Sequence, residues 1–226
     1  MTLAITIYYA SSSNLGNHKK ETSQTANATD TSAKSDYQVA EEVVQKLRQD
    51  KVDTILFFKR TCISCCDFYN IFWSSKGSCH VTTVYYNFDD QQVHKITAAL
   101  DHSRVFSLLD KNYKLLKITT VKPNEQIMPD GTKNTMLWSH YCYAMVTVYT
   151  QQDSIITERI LDDCFLRYAS DYELPGQKKE LNINYRENIN SVWNVLLTTI
   201  EQELAAMPQT PTREIETFRT KENKSE

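Results

Sequence analysis

Phe57-Phe58-Lys59-Arg60-Thr61-Cys62-Ile63-Ser64-Cys65-Cys66-Asp67-Phe68 is the stretch on which the reading of this chain turns. It continues Asp53 to Phe58 (DTILFF), a short apolar, β-rich run with the character of a buried strand. Beyond it, Cys65, Phe68, Ile71 and Phe72 recur at helical spacing, so a helix is predicted over 62–72. A helix N-terminus carries a partial positive charge and free N–H groups. A thiolate at Cys62 is stabilised in such a place and its pKa falls. Lys59 and Arg60 stand close in sequence and add to that effect. Cys65, one helical turn further on, is near enough to close a disulfide with Cys62.

Working outward, Ser35 and Gln38 fit a capping box. Ala40, Val43, Val44 and Leu47 then form one stripe of an amphipathic helix. Val81 to Asn87 (VTTVYYN) is a second predicted strand. Asp89 or Asp90 is placed to cap a helix carrying Val93, Ile96 and Leu100. This β–α–β–α order favours a parallel strand pair with a right-handed crossover. Later, Tyr143 to Tyr149 and Ile155 to Ile160 are predicted as antiparallel strands joined by a turn at Gln151 to Ser154. Ile189, Val192, Trp193, Leu196, Ile200, Leu204 and Met207 mark a long amphipathic helix. Residues 101–140, with Pro123, Pro129 and Gly131, are an insertion without assigned structure, although 113–121 (YKLLKITTV) suits an extra strand.

A C-x-x-C directly after a buried strand, beside a βαβ pattern, resembles the thioredoxin superfamily. The resemblance covers residues 36–100 in order and 143–207 in architecture. It implies an α/β thioredoxin-like fold: a central mixed sheet, helices on both faces, and an insertion (101–140) before the C-terminal β-hairpin. It also implies thiol–disulfide exchange on protein substrates through a mixed disulfide, with Cys62 as nucleophile and Cys65 as resolving thiol. No organic cofactor is required. Three positions depart from the family pattern. Leu56 stands where thioredoxins have a buried acid. His140-Tyr141-Cys142-Tyr143 contains no proline where the family has a cis-proline. Ile63-Ser64 is neither Gly-Pro nor a His-containing dipeptide. These departures argue against a thioredoxin-type reductase and a very strong oxidant. Cys66 is a small buried hydrophobe or an auxiliary thiol, and Cys142, near the expected cis-proline position, is a candidate third thiol. Cys79 and Cys164 are a structural disulfide in an exported protein or free thiols otherwise; spacing does not assign pairs.

Two other readings compete. One keeps the fold as a non-catalytic protein-interaction scaffold, since folds host many functions. The other gives Cys62, Cys65, Cys66, Cys79 and His80 to zinc or copper(I). It lacks a second C-x-x-C and an H-x₃₋₅-H, so no metal site is assigned.

Composition narrows the classes. The 226 residues carry 25 Lys+Arg against 28 Asp+Glu, a net charge of −3 that gives no electrostatic footprint for nucleic acid. Only four glycines occur, about a quarter of average usage, and none are clustered, which excludes a Rossmann fingerprint or a P-loop. No apolar run approaches the ~20 residues of a membrane-spanning helix. Met1 to Ala10 (MTLAITIYYA) resembles the end of a secretory signal without its basic start. Export to a periplasm or similar oxidising compartment is slightly favoured over the cytoplasm. Residues 1–34 are expected to be this start plus a Ser/Thr/Asn-rich tether, 35–207 the domain, and 208–226 a disordered polar tail.

Overall fold

A computed structural model describes residues 34–62, 65–135, 142–151, 155–161, 166–168, 181–207 and 214–219. The signal-like start, the tether up to residue 33, and Cys164 lie outside the described residues.

The first helix begins as its sequence requires. In α1 (Asp36–Gln49), the Ser35 side chain accepts the Gln38 N–H, and the Gln38 side chain accepts the Ser35 N–H. Its stripe of Val39, Ala40, Val44 and Leu47 is buried. Four strands then meander: β1 (Thr54–Cys62), β2 (Cys65–Ser75), β3 (Ser78–Asn87) and β4 (Gln92–Leu100). The β2–β3 link is a two-residue turn, Lys76-Gly77, with φ of 50° and 82°. Positive φ at both central residues matches the right-handed twist of a hairpin. Next come α2 (Arg104–Ile118), a small hairpin of β5 (Glu125–Ile127) and β6 (Lys133–Thr135), and the pair β7 (Tyr143–Thr150) and β8 (Ile155–Leu161). A short α3 (Tyr185–Ile189), α4 (Val192–Ala206) and β9 (Glu214–Arg219) complete the order.

The main sheet has seven strands in the order β8-β7-β1-β2-β3-β4-β9, and each neighbouring pair is antiparallel. This overturns the thioredoxin-like α/β expectation. The sheet is antiparallel rather than mixed, and no βαβ crossover exists among the described residues. Residues expected as a helix after Cys62 form β2. Those expected as a helix after Asp90 form β4. There Asp90 caps a turn instead, with its Oδ1 accepting the Gln92 N–H at 3.1 Å. The expected insertion holds α2, whose Val105, Phe106, Leu109 and Leu116 are buried, and 113–118 belong to that helix rather than to a strand. Residues 214–219, within the stretch read as a polar tail, form β9 against β4.

The central strands bury side chains on both faces. Leu56, Phe58, Phe72 and Val81 pack with Val105, Phe106 and Leu109 of α2 and Trp193, Leu196 and Ile200 of α4. Ile55, Phe57, Tyr69, Ile71, Val84 and Val93 pack with Val39, Ala40, Val44 and Leu47 of α1. Odd and even positions of β1 therefore belong to two cores, as the period of two demands. The loop after α2 is tied down by buried amides. Asn182 Oδ1 accepts the Glu125 N–H at 3.1 Å, and its Nδ2 donates to the Leu166 carbonyl at 2.9 Å. No helix among the described residues is long and apolar enough to cross a membrane.

Candidate functional site

Strand register gathers the chemistry-bearing residues at one end of the sheet. Cys62 and Cys65 are cross-strand partners in the β1–β2 hairpin, with Ile63 and Ser64 between them in sequence. Directly opposed residues of an antiparallel pair have Cα atoms roughly 4.5–5.5 Å apart, which lies within the 4.4–6.8 Å span that a disulfide requires. On the other side of β1, Thr61 pairs with Tyr143, so Cys142 stands one residue beyond that rung. Cys142 is disulfide-bonded. Cys66 follows Cys65 on β2.

The setting differs from the expected one in a way that matters chemically. Cys62 ends a strand and Cys65 begins another, so no helix N-terminus follows the C-x-x-C to stabilise a thiolate. The two nearby cations are also engaged. Lys59 Nζ lies 3.0 Å from Asp67 Oδ2 and within 5.5 Å of the Tyr37 and Tyr69 ring centroids. Arg60 Nη1 meets Glu201 Oε1 of α4 at 2.5 Å. Alternation places Lys59 on the α1 face of the hairpin and Arg60 on the α4 face.

Around Lys59 the α1 face carries a charged aromatic cluster that the sequence reading missed. Tyr69 donates to Asp67 Oδ2 at 3.1 Å and stacks on Phe57 at 6.1 Å. Burial, then the neighbouring Asp36 and Asp67, push the Tyr69 hydroxyl well above its ordinary value. Burial likewise raises the Asp36 carboxyl, against the lowering effect of the Tyr37 N–H. Tyr37 donates to Glu41. The available signal was the i, i+2 spacing of Phe57, Lys59 and of Asp67, Tyr69, Ile71, which becomes visible once 65–75 is read as a strand. Two further features complete this end. Thr61 Oγ1 is buried and makes no hydrogen bond among the described residues. The Arg159 guanidinium lies 3.9 Å from the Tyr143 ring centroid.

The remaining cysteine and histidine candidates are elsewhere. Cys79 is a free, half-buried thiol, so the considered Cys79–Cys164 disulfide is not formed. Its partner on β2 is Ser74, nine residues along from Cys65, a distance of about 30 Å in an extended strand. Burial pushes the Cys79 thiol up, and the negative Glu203 and Asp110 add to this. His80 stacks on Trp73 with centroids 4.0 Å apart. The five-residue zinc or copper set is therefore split between opposite ends of the sheet. Among the described residues no group of three or more His, Cys, Asp or Glu is arranged to hold a metal.

Fold and site together define an antiparallel seven-stranded sheet backed by helices, with a cysteine-bearing hairpin at one end. No family model matches the chain, and no curated protein or solved structure matches it.

Proposed function

We propose that the cysteine-bearing end of the sheet carries out thiol–disulfide exchange with a protein partner, with Cys62 and Cys65 as the exchanging pair. The observation that carries the reading is the direct cross-strand pairing of these two residues beside the disulfide-bonded Cys142. In the exchange, the Cys62 thiolate attacks one sulfur of a partner disulfide. A new S–S bond forms to Cys62, and the partner's other sulfur leaves as a thiolate. The Cys65 thiolate then attacks Cys62 and releases the partner's second thiolate. Cys62 and Cys65 are left oxidised and the partner disulfide reduced by two electrons; the reverse sequence oxidises a partner dithiol.

No helix N-terminus follows this C-x-x-C, and Lys59 and Arg60 are paired with Asp67 and Glu201, so the hairpin lacks the usual thiolate-stabilising setting of a rapid-turnover active site. That setting is in keeping with a redox-set disulfide rather than a rapid-turnover catalyst. The same two ion pairs favour the second reading, a non-catalytic interaction scaffold with a stapled sheet end. The disulfide at Cys142 suits an oxidising compartment. The distinguishing experiment follows single-turnover exchange with a disulfide-bonded model protein by trapping the mixed disulfide. Exchange through Cys62 gives a trapped adduct in Cys65→Ser and none in Cys62→Ser. An adduct absent from both leaves the scaffold reading.

A further inference from the structure

At the opposite end of the sheet, α1 closes into a cleft of about 620 Å³ against the start of β1 and the end of β7. Its floor is apolar, made by the buried Val52 and Ile55. Its rim carries Arg48, Lys51, Tyr149 and Gln151, and no carboxylate occurs among the described residues that line it. The Arg48 guanidinium lies 5.3 Å from the Tyr149 ring centroid. Neither Arg48 nor Lys51 has an ion pair among the described residues. Gln151 is fixed at the rim by its Nε2, which donates to the Lys51 carbonyl at 3.1 Å and to Asp53 Oδ1 at 2.9 Å.

The backbone that presents Lys51 is a second, independent observation. The Val52 N–H donates to the Leu47 carbonyl and the Lys51 N–H to the Arg48 carbonyl, both at 3.2 Å. This is a Schellman closure, whose left-handed position glycine normally fills. Here Lys51 fills it, with φ of 54°. A non-glycine residue held there is disfavoured, and such strain collects at functional positions. The closure also satisfies the last helix carbonyls with backbone donors, so the two cationic side chains are not needed to cap α1.

We propose that this cleft binds a small organic anion, with Arg48 and Lys51 on its carboxylate or phosphate group and its apolar body on Val52 and Ile55. A guanidinium suits either oxyanion through paired N–H donors. The inference is independent of the cysteine chemistry.

The test titrates the full chain with benzoate, phenyl phosphate and neutral benzyl alcohol, following the backbone amide resonances of Tyr149, Thr150 and Gln151. Saturable shifts are expected with at least one anion and not with the alcohol; which anion binds more tightly separates a carboxylate from a phosphate ligand. Lys51→Gly separates ligand contact from structure, because the two effects have opposite signs. It is expected to weaken the anion about tenfold while raising the unfolding midpoint by about 2–4 °C through relief of the left-handed lysine. Arg48→Ala is expected to weaken binding by a similar factor. No saturable shift up to about 10 mM, equal binding of benzyl alcohol, or unchanged affinity in both variants overturns the proposal.

Discussion

Asn188 pairs with the backbone of Lys122 as a neighbouring strand would: its Oδ1 accepts the Lys122 N–H and its Nδ2 donates to the Lys122 carbonyl, both at 2.9 Å. Asn188 is 1% exposed. A loop of irregular backbone lies beside the core shared by α2 and α4, and its polar groups need partners there. One side-chain amide supplies both. Asn188→Ala leaves a donor and an acceptor without a partner, at about 1–3 kcal/mol each where water cannot enter. A loss of about 2–4 kcal/mol is expected by urea unfolding, against less than about 0.5 kcal/mol for an exposed control such as Lys114→Ala.

The two-core arrangement makes a sharper demand on β1. Phe57 and Phe58 are adjacent, 5% and 3% exposed, and belong to different cores. A strand with one wet face would tolerate truncation at one of them. Here Phe57→Ala and Phe58→Ala are each expected to cost about 3–5 kcal/mol, with near-additive behaviour in the double variant. A small effect at either position contradicts burial on both faces.

This double burial is also why the sequence was misleading at β2. A strand covered on both sides shows a continuous apolar run rather than alternation. Tyr69, Ile71 and Phe72 are all buried, and Phe68, Ile71 and Phe72 happen to fall at helical spacing. The capping box of α1, the β7–β8 pair and the amphipathic pattern of α4 were legible because each lies within one local period. The antiparallel order was not, since β7 joins β1 from about ninety residues away. The α2 stripe of Val105, Phe106, Leu109 and Leu116 was present in the sequence but was hidden by treating 101–140 as an insertion. Of the site, the cysteines and Lys59 and Arg60 were legible as residue types. Their surroundings were not, because a hairpin and a helix N-terminus place opposite demands on the same C-x-x-C.

Glu158 gives a pH dependence with a defined sign. Burial raises its carboxyl above the ordinary 4.5, against the lowering effect of the Arg159 and Val121 backbone. A raised carboxyl opposes folding when ionised. Its contribution therefore improves as pH falls from above the raised native value towards 4.5, and is constant below that. Glu158→Gln is expected to melt higher than the parent at pH 7, with the difference shrinking towards pH 4. A difference independent of pH contradicts the assignment.

Gly77 tests the hairpin turn without a packing effect. Its φ is +82°, and a Cβ built there meets nothing within 4 Å. Gly77→Ala is expected to cost about 1 kcal/mol from backbone conformation alone, whereas Lys76→Asn, at φ of 50°, is expected to be neutral or mildly stabilising because asparagine tolerates this region. Thermal unfolding of the two variants separates the effects.

The most direct measurement of the central claim is the reduction potential of the Cys62–Cys65 pair, by equilibration in glutathione buffers and mass-tagging of free thiols, with Cys62→Ser and Cys142→Ser alongside. A reversible two-electron couple in the range of about −120 to −270 mV, lost in Cys62→Ser, is the expected result. Thiols at 62 and 65 that stay reduced throughout that range, or a couple unaffected by Cys62→Ser, would contradict exchange at this hairpin.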